Sequence, residues 1–160
     1  MIDHLILLYL KHILEAMTGV IAFSVLFHAP RDEWITCGIS GTIGWIVYCI
    51  FTDLGFSLIL SNFTATVALT LFSRWMAVIR QTPVTVFLVP GIFPLVPGAG
   101  IYYTAYYFFM EQPELGSAKA METLAAAGAI TVGIIFGSFL ITGFFRTLAL
   151  SRGIRQWIRS

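Results

Sequence analysis

Charge is what this sequence has least of. Only 11% of its 160 residues are Asp, Glu, Lys or Arg, against 58% hydrophobic, too few to coat a soluble globule. Lysine is nearly absent, with Lys11 and Lys119 alone, and a formal net charge of +1 offers no basic patch for nucleic acid. Cysteine is scarce too. Cys37 and Cys49 stand in one expected helix, about 18 Å apart along its axis, too far to bridge within one chain, so they say nothing of redox compartment. Long polar intervals are also missing. The longest are residues 73–83 and the tail after Arg146, which leaves nothing to fold as a soluble catalytic domain. There is no nucleophile paired with a base and no phosphate loop, so neither an enzyme nor a cofactor is expected. His12 and Glu15 share a spacing that two metal ligands use, but no second cluster completes a site and no metal is expected.

What the chain has in quantity is apolar length, with a mean hydropathy of +0.89. A helix needs about 20 apolar residues to span the hydrocarbon. The charged residues divide the chain into five such lengths, at about 5–27, 34–51, 56–72, 84–110 and 120–145. The expected fold class is an all-α integral membrane protein, a single five-helix domain over 1–160 in contact with the lipid bilayer. The first length lacks the basic start and small-residue cleavage site of a cleavable signal and is expected to be retained. After five crossings, Arg31, Arg74, Arg80 and the tail arginines Arg146, Arg152, Arg155 and Arg159 share one side, while Lys119 is the one strong base of the loops opposite. The positive-inside rule then puts the N-terminus outside and the C-terminus in the cytoplasm. The tail, 146–160, reads as a basic interfacial anchor around Trp157, with lipid sensing as the alternative.

The fourth length breaks itself. Within "VPGIFPLVPGAGIYY", Pro90, Pro94 and Pro97 lack an amide hydrogen and push their predecessors out of the helical region. A helix entering at Val84 is expected to end by Val89 and to resume near Ile101, discontinuous from Pro90 to Gly100. A loop returning to the side it left would set the tail arginines opposite Arg31, Arg74 and Arg80, so the segment is expected to cross. Irregular backbone at that depth costs several kcal/mol per unpaired group unless protein or a wet cavity satisfies it. The resuming half-helix presents amide hydrogens and a positive dipole end to a carboxylate; the ending one presents carbonyls to an ammonium group or a cation. Pro90, Gly91, Pro94, Pro97, Gly98 and Gly100 are therefore the candidate substrate pathway, against the alternative of a purely structural kink. Tyr102 and Tyr103, nearest the break, are candidate cavity residues; Tyr106 and Tyr107 suit a cavity or an interfacial belt equally.

Elsewhere, Asn62 stands in a stripe of hydroxyls on the third helix, as a pathway residue or an inter-helix hydrogen bond. Glu15 and Lys11 are ionisable groups inside the first length and candidates for proton or ion coupling, although a lysine there can snorkel outward. Glu122, three residues after Lys119, reads as a paired first-turn acid. Ala125, Ala129, Gly133 and Gly137 form a four-residue ladder of small side chains, and Gly41 and Gly44 smooth the second helix. Both surfaces suit close helix packing and are expected to dock a partner, including further copies of this chain.

The run Pro90-Gly91, Pro94, Pro97-Gly98, followed by Tyr103-Thr104, resembles the C-terminal membrane module of the threonine/serine exporter family. So do "FHAPRDE" after the first helix and "SRW" (Ser73, Arg74, Trp75) closing the third. The resemblance covers the whole chain and adds Thr104 to the candidate pathway. It implies a separate small subunit of a secondary exporter in a bacterial cytoplasmic (inner) membrane, partnered by a larger membrane subunit of the same family. The implied substrate is a small hydroxylated amino acid (threonine or serine) or a dicarboxylate such as succinate. The alternative is an accessory or scaffold subunit that shapes the complex while the partner carries the transport site.

Overall fold

The computed structural model describes the backbone of residues 2–157 and the side chains of residues 6–140. The arginine-rich tail therefore lies outside the described side chains. Among the described residues all regular structure is helical: α1 (Ile2–Leu26), α2 (Trp34–Asp53), α3 (Leu58–Arg80), the short α4 (Thr85–Gly91), α5 (Gly98–Phe109) and α6 (Pro113–Trp157). Four stretches are long and apolar enough to cross a membrane by themselves, Ile6–Leu26, Arg31–Asp53, Leu58–Arg80 and Pro113–Leu140. The protein is thus a multi-pass membrane protein. A fifth apolar length is built from two pieces, Thr85–Leu95 and Gly98–Phe109, bent by 46° where they meet.

Several helix bounds differ from those the charge clusters suggest. α3 continues past residue 72 to Arg80, because Ser73 does not face water. Its hydroxyl is fully buried and lies 2.8 Å from that of Ser40 on α2. The helix stops where Gln81 turns left-handed (φ 52°), two residues before Pro83, whose ring disfavours helix in its predecessor. α6 begins at Pro113, not near residue 120. Proline suits the first helical position, where its missing N–H would be unpaired in any case, and Glu114 complements the dipole there. Between α2 and α3 the chain reverses through Gly55 at φ +82°, with Phe56 N–H donating to Phe51 C=O at 3.1 Å. A side chain would be strained at that one position.

α4 does not end at Val89 but carries Pro90 and Gly91 within it. Proline at position 90 removes the amide that Val86 C=O would have received, and Cys37 of α2 supplies a replacement, its thiol donating to that carbonyl at 3.2 Å. α5 starts at Gly98, three residues earlier than expected. The irregular bridge is therefore confined to residues 92–97, and half of it is the 3-10 turn Phe93–Leu95.

The small residues expected to dock a partner are used inside the chain. A Cβ on Gly133 would sit 2.9 Å from Thr66 Cβ and one on Gly137 2.9 Å from Thr70 Cβ, both on α3. Ala129 is buried in the same face of α6, with Ala125 half-buried one turn earlier. Gly41 lies against Val20 and the backbone of Gly91, and Gly44 against Leu69 and Leu95. The close packing expected of these small residues is thus found within the chain, with Gly133 and Gly137 in a seam between α6 and α3, Gly44 against α3 and Leu95, and Gly41 at the seat of α4. Around that seat Val20, Cys37 and Phe87 form one buried cluster, and Ala65, Leu69, Leu95 and Ile130 another.

Candidate substrate cavity at the helix break

On the α5 side of the break the bridge borders open space. A cavity of about 340 Å³ is bounded by residues 94–100, by Trp45 and Tyr48 of α2, by Leu58 and Asn62 of α3, and by one face of α6. That volume falls within the roughly 300–1,000 Å³ of small-molecule sites. Residues 119, 122, 123 and 126 reach it from α6 because their i, i+3, i+4, i+7 spacing sets them on one face. α5 is drawn against this face at Gly100, where a Cβ would collide with Thr123. At about 1.5 Å per residue the Gly100–Thr123 contact lies about 14 Å along the α5–α6 hairpin from Phe109 and Pro113, where the two helices join.

The polar groups of the cavity come from three sources. No side chain caps α5, and of its first-turn amides only those of Gly98 (to Val96 C=O, 2.7 Å) and Ile101 (to Pro97 C=O, 3.1 Å) have backbone acceptors. The amides of Ala99 and Gly100, at the positive end of the helix, have no acceptor among the described residues. Asn62 is 97% buried, being 3% exposed; its Nδ2 donates to Leu58 C=O at 2.9 Å, and its Oδ1 makes no hydrogen bond among the described residues. Lys119 and Glu122 pair at 2.8 Å. They are no first-turn pair, since α6 has already run six residues when it reaches Lys119.

Of the residues singled out in the sequence, Pro94, Pro97, Gly98, Gly100 and Asn62 come together here. Pro90 and Gly91 do not. Gly91 is wedged against Leu69, Ser40 and Gly41, and Pro90 borders a separate cavity of about 240 Å³ with His28 and Val86. Three of the carbonyls expected to meet an ammonium group are engaged: Val86 C=O accepts from Cys37, Phe87 C=O from Ser40 at 3.5 Å, and Leu88 C=O from Ile92 N–H. Tyr102 and Tyr103 are 63% and 45% exposed and do not border this cavity; α5 meets α6 where Gly100 approaches Thr123 and where the Phe108 ring lies against Gly116. Thr104 donates to Gly100 C=O of its own helix at 2.8 Å.

Glu15 borders a neighbouring cavity of about 280 Å³ that shares Trp45 and Pro94 with the first. It lies near the middle of the span Ile6–Leu26, 3.7 Å from Lys11 and 3.8 Å from His12. Lys11 is largely exposed. Among the described residues no group of three or more His, Cys, Asp or Glu is placed to hold a metal ion. Lys119, Glu122 and Thr123 were missed as cavity residues. The available signal was Pro113, which starts the helix early enough to carry them to depth.

The profile of the family described as "Threonine/Serine exporter, ThrE" matches residues 12–140, which include every residue bordering this cavity. A "Probable threonine/serine exporter" of Mycobacterium tuberculosis is 26% identical over 126 residues, covering 78% of this chain and 24% of the relative. The chain thus spans about a quarter of that relative's length. No solved structure matches. The match extends across all the crossing helices and the break between them, and on it the chain belongs to the threonine/serine exporter family.

Proposed function

We propose that this chain is a small subunit of a secondary exporter, and that the cavity beside the helix break is part of its substrate path. The exporter moves small carboxylate-bearing metabolites, threonine and serine or a dicarboxylate such as succinate, out across a bacterial cytoplasmic membrane. α4 and α5 cross as one broken span, giving five crossings in a single domain, with the N-terminus outside, as the arginine distribution favours. The carboxylate docks at the free amides of Ala99 and Gly100. A larger membrane subunit of the same family completes the complex, and Glu15, in the adjoining cavity and at mid-span, is the candidate coupling acid. The family is one of transporters, and the chain is read as no enzyme. One observation carries this reading: the irregular backbone between α4 and α5 borders a cavity, where its unpaired groups can serve a passing solute.

A scaffold role draws support from α4, whose Val86 and Phe87 carbonyls accept from Cys37 and Ser40 of α2 and whose Gly91 packs against α2 and α3. Efflux separates the two. Cells preloaded with labelled threonine, serine or succinate would express this chain alone, with the larger subunit, or with the larger subunit and Gly98→Leu. A Cβ at Gly98 meets nothing within 4 Å, so the leucine fills cavity space without disturbing packing. Export that needs both chains and falls at least tenfold with Gly98→Leu is the expected result. Export by the larger subunit alone, indifferent to Gly98, would leave this chain a scaffold.

A further inference from the structure

Three cavities touch the broken span, and they lie in a row. The first, of about 340 Å³, is bordered by residues 94–100 and lies by the α2–α3 turn, between Tyr48 and Leu58. The second, of about 280 Å³, shares Trp45 and Pro94 with it and adds Phe93 together with Glu15, Gly19 and Phe23 of α1. The third, of about 240 Å³, lies at the other end of α2, between residues 27–30 and Thr85, Val86, Val89 and Pro90 of α4. The 20 residues of α2 span about 30 Å, so the first and third cavities belong to opposite faces. The third lies on the face where Arg80 meets Glu33 at 3.5 Å.

Three phenyl rings separate the second cavity from the third. Phe93 stacks on Phe23 with ring centroids 3.8 Å and planes 24° apart, and tilts against Phe27 at 5.3 Å. Phe23 and Phe93 border the second cavity, Phe27 the third. None of the three belongs to the buried clusters, and none is fully buried. A helical side chain covers the turn before its own Cα, which for Phe23 is the turn holding Gly19. A Cβ at Gly19 would meet nothing within 4 Å, so the ring that closes the row has empty space beside it.

We infer that Phe23 and Phe93 are the closed gate of the substrate path, standing between the cavity beside the break and the face that carries Arg31 and Arg80. The inference rests on the reading of that cavity as part of the path and adds what shuts it. Phe93 is the fixed leaf, since it begins the 3-10 turn of the bridge and Pro94 follows it. Phe23 is the moving one. Swung over Gly19, its ring leaves the stack and joins the second cavity to the third, with no helix displaced. An apolar constriction suits this place, because it bars water and ions by dewetting when the rings meet and leaves no charge unpaired when they part.

The test is labelling of Gly19→Cys in the full chain by a charged, membrane-impermeant thiol reagent, in right-side-out and inverted membrane vesicles. The chain with Cys37 and Cys49 alone gives the background, and export is measured alongside. Labelling should come from the face of the α2–α3 turn and be barred from the arginine face. Phe93→Ala should raise labelling from the arginine face by about tenfold, the factor by which one aromatic pair holds a closed state. Phe93→Leu keeps most of the bulk and should raise it less. Phe23→Ala should open the same barrier, and decides the matter where Phe93→Ala fails to fold. Gly19→Leu fills the space the ring swings into and should cut export severalfold at unchanged thermal unfolding. Labelling from the arginine face that ignores both alanine variants, or that is as strong without them, would overturn the inference. Ring-dependent labelling in a chain that exports nothing would uphold the gate and remove the exporter reading. Export that depends on Gly98 but ignores Phe93→Ala, Phe23→Ala and Gly19→Leu would do the reverse.

Discussion

The two halves of the broken helix have the same origin in sequence, each bounded by a Pro-Gly pair, and opposite surroundings. α4 is closed. Phe87 and Pro90 are fully buried and Gly91 touches backbone, while Cys37 answers the carbonyl that Pro90 leaves open and Ser40 reaches that of Phe87. α5 is open, with no buried residue, two free amides and space beside Gly98. A proline break by itself is therefore neutral between a packed kink and a site. The neighbouring helix decides: α2 carries donors where α4 ends, whereas nothing stands within 4 Å of a Cβ at Gly98, where α5 begins.

The comparison breaks most easily at its two glycines. Gly91→Leu places a Cβ 2.8 Å from Leu69 Cδ1 and 3.0 Å from Ser40 Oγ, and should cost about 3 kcal/mol through overpacking, read as a marked fall in thermal unfolding temperature in detergent. Gly98→Leu should leave that temperature unchanged. Equal falls would mean that the open half is packed after all.

Next in size is Gly133→Leu, which tests what holds α6, and with it α5, in position. Its Cβ would lie 2.9 Å from Thr66 Cβ and 3.0 Å from Phe63 C=O, so α3 and α6 should separate at a cost of about 2 kcal/mol. The change should appear as lowered stability of the chain by itself. A complex that falls apart around an equally stable chain would return the ladder to the subunit interface. Smallest is Cys37→Ala, which takes away the donor to Val86 C=O and should cost about 1 kcal/mol. Cys37→Ser should recover part of it by restoring a donor, and identical unfolding of the two variants would show that the thiol only fills space.

Much of the architecture is legible in the sequence because the bilayer imposes a single length scale. Apolar runs near 20 residues identify the crossings, and the prolines at 90, 94 and 97 mark the break. Helix ends are less legible. Ser73 and Arg74 look like a loop until Ser40 is known to face Ser73, and Glu114 and Lys119 look like a loop until Pro113 is taken as the first helical residue. Site residues near the break were legible only in part. Pro94, Pro97, Gly98, Gly100 and Asn62 meet at the cavity, but Tyr102 and Tyr103 stay exposed and outside its border.

The sequence by itself determined the solvent, the number of apolar lengths, the place of the break and the family. Each follows from local composition or from an unbroken order of residues. Only the tertiary structure decided which half of the break is sealed, that the small-residue ladder is an internal seam, and that a lysine and a glutamate border the cavity. Those outcomes depend on which side chain of another helix lies opposite, a pairing of residues tens of positions apart that no local pattern encodes.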